Sequence, residues 1–124
     1  MRLDDALEMV ARTDPGIIRS HNEDAIFVDA SLGVTILADG MGGYNAGEVA
    51  SGMATMRLAE DIARIIVSEA ERGRGLSDAA VVEQHIFNEV AAANSAIFNA
   101  SQSSAQYTGM GTTLVMAWFY DNRM

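Results

Sequence analysis

A strand that ends in a carboxylate and a cluster of glycines is the feature that most constrains this chain. Residues 34–48 read VTILADGMGGYNAGE, in which apolar and β-branched residues lead into Asp39. Gly40, Gly42 and Gly43 follow within four positions, and a helical pattern begins a few residues later. This order predicts a strand, a tight turn and a helix, with a lone carboxylate at the end of the strand.

Residues 22–40, NEDAIFVDASLGVTILADG, have the pattern of a β-hairpin. A hairpin symmetric about Ser31 and Leu32 places Asp24 opposite Asp39 on one face, with β-carbons roughly 4.5–5.5 Å apart. A register shift of one residue would remove this pairing. Two carboxylates at that separation repel each other unless a positive charge lies between them. Oxygen ligands without nearby histidine or cysteine favour Mg²⁺, Mn²⁺ or Ca²⁺.

The glycines and a nearby arginine each admit more than one interpretation from spacing alone. The glycines either serve a strand-to-helix turn, or bring main chain and its carbonyl groups close to a bound cation. A phosphate-binding nucleotide loop is a weaker alternative, because the Lys-Ser/Thr of the P-loop pattern is absent. Arg19, five residues before Asp24, is either a surface ion-pair residue or a bidentate phosphate ligand beside a cation.

The remaining pattern predicts three strands, two long helices and a last strand. Within residues 9–16 we expect a short strand and then a turn at Pro15 and Gly16. We further expect a helix over 46–72, a second helix with Ser77 as its N-cap and Asp78 in its first turn, and a strand over 111–121. The hairpin is apolar on both faces, which predicts burial on both sides in a layered architecture. Because two helices of this length cover more than four short strands, we expect further strands from another chain or from a longer domain.

Composition excludes several classes of protein. With a formal net charge of −9 and eight scattered basic residues, the chain lacks the basic face of a nucleic-acid-binding protein. No apolar run approaches the roughly 18 residues of a membrane span, and the acidic N-terminal sequence lacks a signal-peptide pattern. The absence of cysteine excludes disulfides and thiolate metal sites. We therefore expect a cytoplasmic protein, most of whose acidic residues serve solubility while a few bind cations.

Three motifs match a known family in their order and approximate spacing. They are RSHNED at 19–24, LADGMGG at 37–43 and GMGTTLV at 109–115. In these motifs the chain resembles the metal-dependent serine/threonine protein phosphatases, the PPM or PP2C family, and most of all its bacterial subgroup. The resemblance implies an α+β fold of the α-β-β-α type, a sandwich of two antiparallel sheets flanked by helices. It also implies a two-metal centre of Mg²⁺ or Mn²⁺ at one end of the sandwich.

The resemblance further implies roles for individual residues. Asp39 corresponds to the aspartate that bridges both metal ions, and the carbonyl of Gly40 corresponds to a ligand of one of them. Glu23 and Asp24 correspond to acids that support the metal cluster. Arg19 corresponds to the arginine that binds the substrate phosphate. The implied reaction is hydrolysis of phosphoserine and phosphothreonine in proteins by a metal-activated water.

The chain lacks motifs that the family carries in the second half of its domain. A Gly-Asp-Ser/Ala-Arg motif and a later Asp-Gly segment are absent, and Asp121-Asn122 lies in the wrong place to replace the family's late Asp-Asn pair. We therefore expect residues 1–124 to be the N-terminal half of a phosphatase domain, with an incomplete metal centre and little or no activity. Exposed sheet edges predict self-association of such a fragment. The alternative is a non-catalytic binding or assembly module that retains half of the fold.

Overall fold

Two long helices lie on one face of an antiparallel sheet, as expected for an α+β fold. The computed structural model describes residues 2–124. The strands and helices are, in chain order, β1 (Asp24–Asp29), β2 (Val34–Met41), α1 (Ala46–Glu71), α2 (Ala79–Ser103), β3 (Gly111–Thr112) and β4 (Val115–Trp118). Short 3-10 turns lie at Leu3–Asp5 and Ala105–Tyr107. Among the described residues, neither long helix has the length and hydrophobicity that crossing a bilayer requires.

The β1–β2 hairpin has the predicted register, with Asp24 opposite Asp39. The side chain of Asp29 closes its turn. The Asp29 Oδ1 accepts hydrogen bonds from the Ser31 hydroxyl (2.6 Å), the Ser31 N–H (2.9 Å) and the Leu32 N–H (3.1 Å). These bonds, that of the Ser31 hydroxyl first, hold the pKa of Asp29 below its usual range. The turn thereby fixes which residues of the two strands face each other.

β2 is the central strand, with β1 on one side and β4 on the other. The predicted strand over 111–121 is shorter and interrupted: β3 and β4 pair with successive parts of β2 in one continuous register, but residues 113 and 114 belong to neither. The interruption has a local cause. Thr113 accepts the Asp39 N–H with its side-chain Oγ1 (3.2 Å), while its carbonyl accepts a hydrogen bond from the Thr112 hydroxyl (2.8 Å).

The short strand predicted within residues 9–16 is wrong, whereas the predicted turn at Pro15 and Gly16 is present, with Gly16 at a positive φ angle. Residues 7–23 contain neither helix nor strand, and Ile17 and Ile18 in this segment are fully exposed. A strand needs a neighbour that accepts and donates its main-chain hydrogen bonds, and no strand pairs with this segment within residues 2–124. The sequence pattern alone therefore overstated the strand content of the N-terminal region.

α1 covers one face of β2 along nearly its whole length. The helix α1 begins and ends within a residue of the predicted bounds. The N-cap of α2 is Asp78 rather than the predicted Ser77, since the Asp78 Oδ1 accepts the Ala80 N–H (2.9 Å). The core between α1, α2 and the sheet centres on fully or nearly fully buried side chains, namely Val34, Ile36, Leu58, Ile62, Val82 and Trp118. Toward the end of β2 that carries Asp39, α1 presents only small residues, and the helix can therefore approach the strand closely.

The opposite face of the sheet is open, contrary to the prediction that both faces of the hairpin are buried. Leu37 is 45% exposed, and its cross-strand neighbour Val115 is 65% exposed. Ile26, opposite Leu37 on β1, completes an apolar row across three strands. Both long helices pack on the other side, so within residues 2–124 nothing forms a second layer over this row.

Candidate functional site

Two carboxylates mark the end of the sheet where β1 starts and β2 ends. Asp24 and Asp39 are directly paired across the strands, on the open face that also carries the apolar row. Partial loss of contact with water raises the pKa of Asp24, and the neighbouring Asp39 carboxylate raises it further. The two carboxylates therefore repel each other, and a bound cation would reduce this repulsion.

The guanidinium of Arg19 lies close enough to act on the Asp24 carboxylate. Its positive charge lowers the pKa of Asp24, against the larger effects of desolvation and of Asp39. Arg19 is exposed and is not among the arginines that form ion pairs in residues 2–124. Its hydrogen-bond donors are therefore available to an anion beside the two carboxylates.

Glu23 is oriented differently from Asp24. Its carboxylate lies against Gly47 in the first turn of α1, where a β-carbon would come within 2.9 Å of the carboxylate carbon. In the part of the chain that the structure describes, no three histidine, cysteine or acidic side chains converge as a metal site. The structure thus brings together Asp24, Asp39 and the charge of Arg19, and places Glu23 at the side of that group.

Gly40 occupies the closest approach between the sheet and α1. A β-carbon at this position would lie 2.0 Å from the carbonyl oxygen of Gly47 and 2.7 Å from that of Glu23. Both obstacles are main-chain atoms, which cannot move aside as a flexible side chain could. Glycine at position 40 therefore allows β2 and α1 to lie in close contact, whatever further role the Gly40 carbonyl has.

All three sequence motifs meet at Asp39. From the first motif, the carbonyl of Glu23 accepts the Gly40 N–H at 3.1 Å. From the third motif, Thr113 binds the main chain of Asp39 with both its N–H and its side chain: the N–H donates to the Asp39 carbonyl (2.9 Å), and the Oγ1 accepts the Asp39 N–H (3.2 Å). The motifs are thus joined by hydrogen bonds that fix the main chain on which the carboxylates stand.

The loop before β1 is held by Asn22. Its side-chain Oδ1 accepts the Asp24 N–H (3.0 Å), and its Nδ2 donates to the Thr13 hydroxyl (2.7 Å).

By contrast, Asp121 and Asn122 lie in a turn with positive φ angles after β4. Because Trp118 pairs with Val34, this turn lies at the opposite end of the sheet from Asp39. The late Asp-Asn pair therefore cannot contribute to the site.

Sequence reasoning missed Ser51 and Gly47, which tie α1 to the site. Ser51 is 1% exposed, and its hydroxyl donates to the carbonyl of Glu23 at 2.6 Å. The available signal was the run of small residues on one face of the first turns of α1, among them Gly47, Ala50, Ser51 and Ala54. Such a face indicates a close helix–strand contact rather than an ordinary hydrophobic stripe.

Comparison with known proteins now decides the family. The sequence model of the family described as protein phosphatase 2C matches residues 19–124, which include all three motifs. The chain belongs to the protein phosphatase 2C family. The predicted resemblance is thereby confirmed, and the site described above is a part of the phosphatase 2C fold.

Similar proteins of the phosphatase 2C family come from bacteria. The chain is 39% identical over 121 residues to the serine/threonine protein phosphatase PstP of Mycobacterium tuberculosis, covering 95% of this chain and 20% of PstP. It is 38% identical over 109 residues to the serine/threonine phosphatase stp of Listeria welshimeri, covering 86% of this chain and 40% of that relative. The chain therefore spans well under half the length of these relatives.

A solved phosphatase structure has the same fold in this region. The crystal structure of the catalytic domain of PstP in complex with two manganese ions aligns with a TM-score of 0.68 at 34% identity. The alignment covers 87% of this chain and 41% of that domain. The predicted α+β phosphatase 2C fold is thus confirmed for the part of a domain that these residues form.

Proposed function

We propose that the protein to which this chain contributes hydrolyses phosphoserine and phosphothreonine in other proteins, with Mg²⁺ or Mn²⁺ as the cofactor. The observation that carries the proposal is the pairing of Asp24 with Asp39 beside Arg19, in a chain of the phosphatase 2C family. Family membership supports the phosphatase class, and the bacterial relatives support serine/threonine phosphatase activity. The substrates are accordingly phosphoproteins.

The residues present fit one side of a divalent metal centre. The Asp24–Asp39 pair offers carboxylate oxygens, the ligands that Mg²⁺ and Mn²⁺ prefer. Desolvation and then the neighbouring Asp39 carboxylate raise the pKa of Asp24, and a bound cation would offset both effects. Asp39 and the carbonyl of Gly40 would hold the metal, with Asp24 and Glu23 in support. When bound, the divalent cation supplies a water nucleophile of lowered pKa and neutralises charge on the phosphoryl group.

The other groups of the chain orient the substrate and the carboxylates. Arg19 binds the phosphate, because a guanidinium offers two parallel donors to phosphate oxygens. Asn22 and Thr113 hold the main chain of Asp24 and Asp39 at the spacing that the hairpin register sets. No side chain of the site is required to become phosphorylated in this scheme.

We further propose that residues 1–124 are one part of a longer catalytic domain, whose remaining metal ligands lie in its C-terminal half. The absence of a three-ligand group within residues 2–124 and the open apolar sheet face support this division. The isolated chain should then bind cations weakly and turn over little substrate. The cytoplasmic location stays a prediction from the sequence.

The test compares the isolated chain with the product of the complete reading frame in hydrolysis of p-nitrophenyl phosphate and a phosphothreonine peptide. We expect Mn²⁺-dependent turnover only from the complete product, lost in Asp39→Asn and retained in Glu83→Gln, a matched change at an exposed acid on α2. An inactive complete product would favour the non-catalytic binding or assembly module. Strong Mn²⁺-dependent turnover by the isolated chain would contradict the proposed division of the domain.

We also propose that the isolated chain self-associates through its open sheet face and the edge of β4. Val115 is 65% exposed, and it belongs both to the apolar row and to the edge strand β4. Sedimentation equilibrium should show a dimer or larger species that Val115→Lys converts to monomer. Val67→Lys, at a similarly exposed valine on α1 (55%), is the control. A monomeric unmodified chain would contradict this proposal.

A further inference from the structure

The carbonyl oxygen of Glu23 is the point at which β1, β2 and α1 meet. It accepts the Gly40 N–H from the end of β2 at 3.1 Å and the Ser51 hydroxyl from α1 at 2.6 Å. A carbonyl oxygen has two lone pairs, and both are used here. The residue that follows, Asp24, begins β1 and faces Asp39.

Ser51 is held so that its hydroxyl has little freedom. Its residue surface is 1% exposed, and the same hydroxyl also lies 3.2 Å from the carbonyl of Glu48, one turn earlier in α1. Serine side chains inside helices commonly bond to such a carbonyl. Here the shorter bond leaves the helix and binds the chain segment that carries a site carboxylate.

We propose that Ser51 is a positioning residue, which fixes the main chain of Glu23 against α1 and so sets the separation of the Asp24 and Asp39 carboxylates. This inference rests on the proposed function, because it assigns to Ser51 a part in forming the cation site. Asp39 is already tied through Thr113 and the hairpin. Asp24 lies at the first residue of its strand, so its position depends on the segment before it.

The consequence concerns cation affinity more than folding. Without the Ser51 hydroxyl, the Glu23 carbonyl keeps the Gly40 N–H and α1 keeps its hydrophobic contacts. The start of β1 then has greater freedom, and the two carboxylates bind a cation less well. Partners that orient metal ligands without touching the metal typically contribute about 10–100-fold to affinity. We expect Ser51→Ala to raise the Mn²⁺ dissociation constant of the chain about tenfold.

Thr55 supplies a matched control on the same helix. It is 5% exposed, lies one turn after Ser51, and its Oγ1 has no hydrogen-bond partner within residues 2–124. Thr55→Val therefore removes a buried hydroxyl of α1 that holds nothing. Ser51→Thr is the second control, because it keeps the hydroxyl but adds a methyl group at a crowded position, which is expected to lower stability.

The experiment measures free Mn²⁺ by electron paramagnetic resonance during titration of the 124-residue chain and its variants, and thermal unfolding of the same samples without metal. Ser51→Ala should weaken Mn²⁺ binding with a small change in Tm. Ser51→Thr should lower Tm yet keep the affinity, and Thr55→Val should keep the affinity. This pattern separates a positioning role from a merely structural one.

Two other results have distinct meanings. Unchanged affinity in Ser51→Ala, or affinities that follow Tm across all three variants, would overturn the role of Ser51 and leave the proposed metal site intact. An unmodified chain whose Mn²⁺ binding is not reduced by Asp39→Asn would overturn the metal site, and the inference about Ser51 with it.

Discussion

The two faces of β2 are built from alternate residues of one eight-residue strand, yet only one of them is covered. Val34, Ile36 and Ala38 are fully buried beneath the helices. Leu37 and Asp39, the neighbours of these residues along the strand, point to the open side. The helix side is a fully buried hydrophobic core, while the open side combines an apolar row with the paired carboxylates.

This difference shows that the residues that stabilise the fold and the residues of the candidate site lie on opposite faces of β2. Packing on the helix side holds β2 and α1 rigidly against each other, and the hydrogen bonds of Gly40 and Thr113 extend that order to Asp39. The carboxylates themselves face away from the core, where the proposed cation and substrate would reach them. The spacing of the two carboxylates is nevertheless set by contacts on the covered side of β2, opposite to the side on which they lie.

The largest effect is expected when the covered face is disrupted. Ile36→Ala should lower the free energy of unfolding by about 2–5 kcal/mol, because it leaves a cavity among fully buried neighbours. Leu37→Ala, one residue along on the open face, should cost about 1 kcal/mol or less, because nearly half of that side chain already contacts water. Urea denaturation of both variants at neutral pH measures the contrast. The measurement is made at a protein concentration that keeps the chain monomeric, because the proposed self-association would also cover Leu37. Equal losses would then mean that the open face is covered within the monomer.

A smaller effect is expected at the crossing that joins the two faces. Gly40→Ala should cost about 1–3 kcal/mol, since its β-carbon would clash with the main chain of Gly47 and Glu23. It should also weaken Mn²⁺ binding, because the clash lies next to Asp39. Gly43→Ala is the matched control: no atom lies within 4 Å of an added β-carbon there.

The measurement for this pair is thermal unfolding together with Mn²⁺ titration of each variant. Gly43→Ala should match or slightly exceed the stability of the unmodified chain, since it restricts the unfolded state. If Gly40→Ala were tolerated as well as Gly43→Ala, the close contact of β2 with α1 would not be the reason for glycine at position 40.

Local patterns predicted what depends on nearby residues. The hairpin register followed from symmetry about its turn, and the structure shows that Asp29 enforces it. The bounds of α1 followed from helical periodicity and the flanking glycines. For the same reason, the pairing of Asp24 with Asp39 was available from sequence, because it needs only the hairpin.

Features that depend on distant partners were not predictable in this way. The segment over 9–16 has strand-like residues, but a strand forms only beside another strand. Burial of the second face of the hairpin likewise requires a second layer, which an alternating pattern cannot supply. The role of Ser51 depends on a carbonyl 28 positions away in the chain, and nothing in the spacing of a helical serine indicates that contact.

The smallest effect on the free energy of unfolding is expected from the charges at the two ends of the hairpin, Asp24 and Asp29. The sign of the effect differs between these two residues. The pKa of Asp24 is raised in the folded chain, so its charged form destabilises the fold above the raised pKa and the cost disappears below the usual value of 3.8. Asp24→Asn should therefore increase stability at pH 7 without metal, by less than about 1 kcal/mol, and the gain should vanish on acidification. The pKa of Asp29 is lowered, so its charge stabilises the fold above pH 3.8 and that contribution is lost as the pH falls through the lowered pKa.

Asp29→Asn should accordingly reduce stability at pH 7, with a loss that also shrinks in acid. Urea unfolding of both variants and the unmodified chain between pH 3 and pH 7 measures the two profiles. Opposite signs at neutral pH would show that the charge of Asp29 stabilises the turn, whereas the charge of Asp24 is disfavoured by desolvation and by the neighbouring Asp39. A loss of stability in both variants would mean that Asp39 does not crowd Asp24, and the main electrostatic reason for placing a cation between them would be gone.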